Sequence, residues 1–488
     1  MSLLAKEFQI RNITVAGFLI FGLIQIRFFE YTKLENGLGY DGGWYIHTAK
    51  NIFALTDNYH VLRQFPSFMV WITSKMLQYL SVKYINHVVV FQIYNLIYLA
   101  VSIFYIDKIA NLLDFKNRKK IFLYILIFSG FFASRESMYL PVMTDICSFM
   151  QICALYYYFI SKKINLYSIL FGLIAFFTNP MPLLIICILG IFSGYRQVKF
   201  KKDNTVLYLS VLVFISFNVL FSGILIRHQV FTMWSYPDNA EPKLVYATNF
   251  IHSLLFSFLF YIILRKFDVI NLLYQYKKIN IWFLILFLVV ISMIKLIQFA
   301  YPVKFAYSLG ATILVWSLFI NMKPLIGLID ATSYFGIVIP IYLINIREIN
   351  NFFYQKFALG GVLVSLLGLT FLIKSESRHL LFFLPFMAIG VVHVISQFSE
   401  KFLVLSILIA LFLSKIWYPL SLAEFDNEQY QQYPAQHYFA FLGPCLAWWP
   451  YYLFLTILIL VLSVFYFLKN REYFVASSDS LTKSIETD

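Results

Sequence analysis

The residues with the clearest chemical potential form one short stretch, Tyr40-Asp41-Gly42-Gly43-Trp44-Tyr45, just after the first apolar run. A carboxylate near a bilayer is costly, so such a group is usually kept for chemistry or transport. Asp41 is therefore the first candidate for a base that accepts a proton. The glycines after it let the backbone approach a substrate closely. Alternatively, Asp41 only caps a short helix that begins at Gly42, and the two roles are compatible.

Aromatic and basic residues around Asp41 make up a candidate binding surface. Tyr40 precedes the carboxylate, and Trp44 and Tyr45 suit either stacking on a substrate ring or anchoring at the membrane interface. His47 follows within one helical turn. We expect these side chains to share one site with Asp41.

Further charged candidates lie far from Asp41 in the sequence. Arg63, just before Phe65 and Pro66, suits either bidentate contact with a phosphate or snorkelling to lipid headgroups. Asp145 begins a predicted helix, whose N-terminus stabilises its charge, so it is either a site residue or a cap. Arg378 and His379 precede a late apolar run. On the side of Asp41, Arg378 is a phosphate-binding candidate, and on the other side it is an ordinary basic anchor.

The composition is that of a membrane protein. Of 488 residues, 61% are hydrophobic and 13% are charged, against about a quarter charged in soluble domains. Apolar runs of roughly 18–22 residues recur from Ile13 to Phe467. Each run is long enough to cross about 30 Å of hydrocarbon. The sequence predicts an all-α, polytopic transmembrane helix bundle. Alternating segments typical of a β-barrel are absent from it.

The net charge of +14 does not indicate a nucleic-acid partner, because the basic residues concentrate in short loops between apolar runs. Basic short loops stay cytoplasmic, so they predict the orientation of the chain. They also attract anionic lipid headgroups, so membrane lipids are expected partners. In the first 202 positions, the basic residues that cluster in such short loops are Lys6, Arg11, Lys116, Arg118, Lys119, Lys120, Lys162, Lys163, Arg196, Lys199, Lys201 and Lys202.

The apolar runs predict the order of elements in the first half. After a first helix over 13–29, residues 30–83 form a long outer loop with an amphipathic interfacial helix over 68–79. Helices over 86–106 and 121–134 follow, and a short outer loop connects Ser134 to Asp145. We expect Arg135 and Glu136 in this turn to pair with each other.

The second half leaves one question of topology open. Counting every apolar segment as a span puts Arg378 inside, whereas counting back from the basic C-terminal end puts it outside. One segment within 281–345 is therefore expected to be broken or re-entrant, with Tyr301-Pro302 and Pro324 to Tyr334 as the two candidates. Asp330 is read as a re-entrant or packing residue. An outer loop over 417–449 precedes a final helix over 450–467. Residues 1–475 form a single transmembrane domain, and the cytoplasmic tail 476–488 is expected to be disordered.

At these residues the chain resembles the GT-C-type integral-membrane glycosyltransferases, whose first outer loop carries an essential acidic residue. It is most similar to a bacterial branch with the pattern Tyr-Asp-Gly-x-x-Tyr-x-x-x-Ala, matched from Tyr40 to Ala49. The Arg-containing segment Arg63 to Pro66, the Thr144-Asp145 pair and Arg378 match later features of the branch. The chain departs in Gly43-Trp44, where an amide and an aromatic are usual, and in lacking an Asp-x-Asp pair.

The resemblance implies a bundle of about 11–13 helices that moves a monosaccharide from a polyprenyl phosphate to a glycan, lipid or protein acceptor, with inversion. It implies the bacterial inner membrane, with the site on the periplasmic side. Asp41 and Asp145 would hold any divalent ion, Mg²⁺ or Mn²⁺. One alternative is a lipid-linked glycan flippase, which predicts charges at mid-membrane depth and paired broken helices. Another is an O-antigen-type polymerase or ligase, which would favour several arginines in one outer loop, and 417–449 contains none.

Overall fold

A computed structural model describes most of the chain. All regular elements among the described residues are helical, and these residues contain no strand. The all-α prediction is therefore confirmed for this part of the chain. The described ranges are 3–28, 42–53, 61–82, 84–139, 141–142, 144–163, 165–195, 204–228, 242–265, 276–300, 323–373, 377–395, 400–414 and 448–485.

The helices of the first half follow the apolar runs closely. Helix α7 begins with a capping box in which the Asn165 side chain accepts from the backbone N–H of Ser168, which satisfies a backbone donor left open at the helix start. The helices are α1 (Leu3–Phe28), α2 (Gly42–Lys50), α3 (Phe65–Tyr79), α4 (His87–Leu112), α5 (Asn117–Phe128), α6 (Asp145–Ser161), α7 (Leu166–Phe176) and α8 (Met181–Ile191).

The second half continues in the same way, with one difference at its end. The last helix runs to Ile485, so the segment from 476, expected to be disordered, continues the helix, because extending a formed helix costs less than starting one. The helices are α9 (Thr205–His228), α10 (Pro242–Leu264), α11 (Ile281–Ala300), α12 (Ile326–Phe335), α13 (Val338–Ile344), α14 (Ile346–Ile373), α15 (Leu384–Ile395), α16 (Glu400–Leu413) and α17 (Trp448–Ile485).

Several helices have the length and apolar surface of membrane spans. Among the described residues, five helices meet both conditions, or six if the bent pair formed by α5 and residues 132–139 counts as one span. Helix α11 turns large side chains outward, with Trp282 76% and Phe299 86% exposed. In water such a surface would be an aggregation hazard, whereas in a bilayer it faces lipid. The prediction of a helical membrane protein is supported.

The two ends of the bundle differ in charge. Near the end of α4, Asp107 forms ion pairs with Arg11 at 3.7 Å and with Lys120 at 3.6 Å. We call this the basic end. The start of α4 lies at the opposite end, about 35–40 Å away for a helix of this length. That end, where Asp145 begins α6, is called the site end.

Of the two candidates for the broken segment, Pro324 to Tyr334 largely coincides with α12, which is separated from α13 by a break at Gly336, whereas Tyr301-Pro302 lies outside the described residues. Gly336 between α12 and α13 has a φ of +72°, a conformation that favours glycine. After this pair the chain reaches the basic end. There Glu348, near the start of α14, lies 3.4 Å from Lys469, and Lys469 follows the apolar part of α17. Helix α14 then returns to the site end, which answers the topology question: Arg378 lies at the same end as Asp145.

Close helix contacts hold the centre of the bundle together. A Cβ built on Gly360 of α14 would lie 2.4 Å from the Leu189 carbonyl oxygen of α8. Only glycine permits that approach, and small residues at membrane helix interfaces serve the same purpose generally. Helix α8 is thereby fixed against α14, which leads directly to the segment of Arg378.

Candidate functional site

An ion pair at the site end joins two of the predicted site residues. Arg378, on the 3-10 segment Ser377–Phe382, places Nη1 3.9 Å from Asp145 Oδ2, and the two side chains are 12% and 13% exposed. Asp145 lies in the first turn of α6, where the helix N-terminus stabilises its negative charge. Both earlier interpretations of Asp145 are therefore compatible with its position, since it begins a helix and also meets the guanidinium.

The segment before α6 is a broken helix and not the outer loop expected between Ser134 and Asp145. Residues Phe132–Glu136 form a π-helical turn, followed by the helical residues Ser137–Tyr139. The segment is bent by 66° against α5, and Arg135 and Glu136 are buried within it. A π-helical turn inside a longer helix is often found at a functional site.

The broken helix is stable at this depth because side chains replace its lost backbone hydrogen bonds. Gln92 of α4 donates to the Met138 carbonyl at 2.8 Å. Asn95, one turn further, donates to the carbonyls of Ser137 at 2.8 Å and Pro141 at 3.0 Å. Unsatisfied carbonyls in an apolar interior cost several kcal/mol each, so these amides make the irregular backbone possible.

Glu136 connects this broken helix to α12. Its carboxylate accepts a hydrogen bond from the Tyr334 hydroxyl. Its electrostatic neighbours are Asp145, Asp330 and Arg378. Glu136 is 6% exposed, and Asp330 and Tyr334 are fully buried. The sequence interpretation paired Glu136 with Arg135 and read Asp330 as a re-entrant or packing residue. It did not anticipate this cluster.

The cluster of Glu136, Asp145, Asp330 and Arg378 is called the carboxylate cluster. Burying a charge is expensive unless it is paired and hydrogen-bonded, so a cluster of this kind indicates a functional site. Asp145 forms an ion pair with Arg378, and Glu136 interacts electrostatically with Arg378, Asp145 and Asp330. The arrangement can therefore hold an anionic group at Arg378 and exchange a proton at a neighbouring carboxyl.

The Asp41 segment lies partly outside the described residues, which include neither Tyr40 nor Asp41. Helix α2 is described from Gly42 onward, so the capping interpretation of Asp41 stays a prediction. Tyr45 of α2 belongs to the same buried cluster as Val142, which precedes α6 by only a few residues. The start of α2 is therefore tied to the chain segment that carries Asp145.

The other predicted residues of α2 differ in exposure. Tyr45 is 2% exposed and packs in the core, whereas Trp44 is 48% exposed. His47 is also exposed. Of the two aromatic residues, Trp44 is the one available for contact with a ligand or the membrane interface.

Arg63 and His379 lie at the site end as well. Arg63 is partly buried just before α3, whose Phe65 N–H donates to the Phe177 carbonyl at 3.0 Å. That bond places the start of α3 beside the turn after α7. His379, next to Arg378, has its ring centroid 6.5 Å from that of Phe371.

A metal site is not formed by the described residues, in which no group of three or more His, Cys, Asp or Glu side chains could hold an ion. Asp41 is outside that set, so a metal at Asp41 and Asp145 stays a prediction.

Comparison with known proteins adds no identification. No protein-family model, curated protein or solved structure matches the chain. Function must therefore be argued from the chemistry of the site itself.

The residues that the sequence analysis missed, Glu136 and Asp330, carry a recognisable signal. Both are acidic residues inside or beside apolar runs, and ionisable groups at such places are functional candidates by default. Tyr334 has no such signal, because tyrosine is common throughout this chain.

Proposed function

We propose that the protein is a membrane glycosyltransferase that moves a monosaccharide from a polyprenyl phosphate to an acceptor hydroxyl. The observation that carries the proposal is the ion pair of Arg378 and Asp145, largely shielded from solvent and adjacent to Glu136. A guanidinium in a water-poor site is suited to the developing charge of a leaving phosphate. The proton of the attacking group needs a nearby carboxylate as acceptor, and Asp41 is the candidate, because Tyr45 of the adjoining α2 packs in the same cluster as Val142 before α6.

The proposed step is an inverting displacement. The acceptor hydroxyl oxygen attacks the anomeric carbon, and the bond from that carbon to the phosphate oxygen breaks with its electrons remaining on the phosphate. The hydroxyl proton passes to Asp41, and the lipid phosphate stays beside Arg378. Asp145 positions the guanidinium through the attraction of opposite charges in their ion pair.

Two further features support access for a lipid-linked donor. Arg378 lies at the end of the bundle opposite the basic loops. The positive-inside rule assigns that end to the non-cytoplasmic side. A small apolar cleft, lined by leucines of α10, α12, α13 and α14 together with Phe256 and His252, lies next to the helix that carries Asp330. An isoprenoid chain needs an apolar surface of this kind.

A flippase or other transporter is the second candidate, because two broken segments meet in the structure. One is α5 with residues 132–139, and the other is α12 with α13. They bring the buried carboxyls of Glu136 and Asp330 together. Paired broken helices with buried ionisable groups are typical of ion-coupled transporters.

One experiment separates the two candidates. The purified protein is reconstituted in liposomes that contain undecaprenyl-phosphate monosaccharides, and membrane extract is supplied as the acceptor source. A transferase releases undecaprenyl phosphate and labels the acceptor fraction. A flippase moves the intact donor between leaflets and releases none, and that result would refute the proposed transfer.

A further inference from the structure

The basic end of the bundle carries a second cluster that the proposed reaction does not use. Lys108, near the end of α4, lies above three aromatic rings, with Nζ 4.2 Å from the Phe104 centroid, 5.1 Å from the Tyr157 centroid and 6.0 Å from the Tyr105 centroid. Arg11 of α1 approaches the other side of this group, with Cζ 5.3 Å from the Phe104 centroid. Aromatic faces attract cations and hold them in position.

The charges in this cluster are predominantly positive. Lys108 interacts electrostatically with Arg11 and Lys163, which are both cations. The nearby carboxylate, Asp107, already meets Arg11 and Lys120 and accepts a hydrogen bond from Tyr124 at 2.7 Å. The C-termini of α4 and α6 supply only about half an elementary charge each. An additional anion would therefore stabilise the group.

The shape of the surrounding surface identifies the kind of anion. Ile93, Ile97, Val101, Phe104 and Lys108 are spaced by three or four residues along α4, so they share one face of that helix. Ile93 and Ile97 are 44% and 45% exposed. From Ile93 to Lys108 this face extends about 22 Å, which exceeds the roughly 15 Å of hydrocarbon in one leaflet. An apolar stripe that ends in cations matches a molecule with an acyl chain and an anionic head.

Tyrosine hydroxyls add hydrogen-bonding groups at the charged end of the stripe. The Tyr105 and Tyr158 hydroxyls are 3.3 Å apart, and Tyr105 also packs edge-on against Phe171 of α7 with centroids 5.3 Å apart. Lys163 follows directly, because its N–H donates to the Tyr158 carbonyl at 3.3 Å. Residues of α1, α4 and α6 thus converge on one place.

We propose that this cluster is a binding site for one anionic phospholipid, with the phosphate at Lys108, Arg11 and Lys163 and an acyl chain along the exposed face of α4. The phospholipid would hold α1, α4 and α6 together at the basic end. The site lies at the opposite end from the carboxylate cluster, so its occupancy does not depend on the proposed transferase reaction.

The test measures lipid binding by native mass spectrometry on the full-length protein, with phosphatidylglycerol, phosphatidylcholine and inorganic phosphate as probes. Phosphatidylglycerol should remain bound most tightly, and Lys108→Gln and Lys163→Gln should each weaken it about fivefold. The matched control Lys116→Gln, an exposed lysine of the same end, should change binding less than twofold. Lys163 is also exposed, so its variant carries the test if Lys108→Gln does not fold.

Three results would overturn the proposal. Equal weakening in all three lysine variants would mean diffuse attraction between a basic surface and charged lipid. Equal binding of phosphatidylcholine would remove the role of charge. Full displacement of the lipid by inorganic phosphate at equal concentration would indicate a site for a soluble anion instead.

Discussion

Arg378 and Asp145 meet at 3.9 Å although they lie in opposite halves of the chain. Their contact joins the segment before α15 to the first turn of α6, and it also lies beside Glu136 on the broken helix. The contact requires the chain to arrive at the site end after α14. This ion pair therefore determines at which end of the bundle the segment of Arg378 lies.

The first prediction concerns the leaving phosphate. Replacing Arg378 with Gln should lower kcat/KM for a polyprenyl-phosphate sugar by about 100-fold, because one preorganised charge contact with a developing anion contributes on that scale. The matched control is Arg118→Gln at the basic end, where Arg118 forms an exposed pair with Glu400 at 2.9 Å. Exposed pairs contribute about 0–1 kcal/mol, so the control should keep its activity. Steady-state kinetics in proteoliposomes measures kcat/KM for both variants. Equal kcat/KM values for the two variants would exclude Arg378 from the site.

The second prediction concerns the proton acceptor. Asp41→Asn should lower transfer by about 100-fold or more, since removing a general base costs that much. Expression and melting temperature should stay close to those of the wild type. Asp114→Asn, an exposed aspartate after α4, is the control for the chemical change alone. If the Asp41→Asn protein kept its glycosyl-transfer activity, the base would have to be another residue.

The third prediction concerns the stability of the carboxylate cluster. Tyr334→Phe removes the hydroxyl that donates to the buried Glu136, and leaving a buried acceptor without its donor costs about 1–3 kcal/mol. The melting temperature in detergent should fall. Tyr208→Phe, at a tyrosine 70% exposed on α9, removes the same atom and should leave the melting temperature unchanged. A fall of equal size in both variants would show that the Glu136 contact has no special weight.

The fourth prediction tests the contact between α8 and α14. Gly360→Ala would place a methyl group against the Leu189 carbonyl, and overpacking of this kind costs about 1–3 kcal/mol. The same substitution at Gly17 of α1, where a Cβ would meet nothing within 4 Å, should be neutral or stabilise by roughly 0.5–1 kcal/mol. Thermal unfolding of the two variants is the measurement. A stable Gly360→Ala protein would contradict the close approach.

Local signals in the sequence predict the class of protein and the starts of several helices. Apolar runs identify the membrane helices because crossing hydrocarbon requires a length of chain that can be read directly. The start of α6 at Asp145 agrees with prediction, since helix N-termini depend on neighbouring residues. Helix breaks are harder to predict from the sequence, because side chains from distant parts of the chain satisfy the backbone groups that a break exposes. Gln92 and Asn95 do this at the broken helix.

The sequence by itself determined that this is a basic, strongly apolar, all-helical chain with Asp145 at a helix start. Only the tertiary structure decided that Arg378 meets Asp145, that Glu136 accepts from Tyr334 and that Asp330 lies beside them. The reason is physical. Hydropathy and capping depend on residues that are close together in the chain. The pairing of buried charges depends instead on how many times the chain crosses the bundle. One broken segment changes that number.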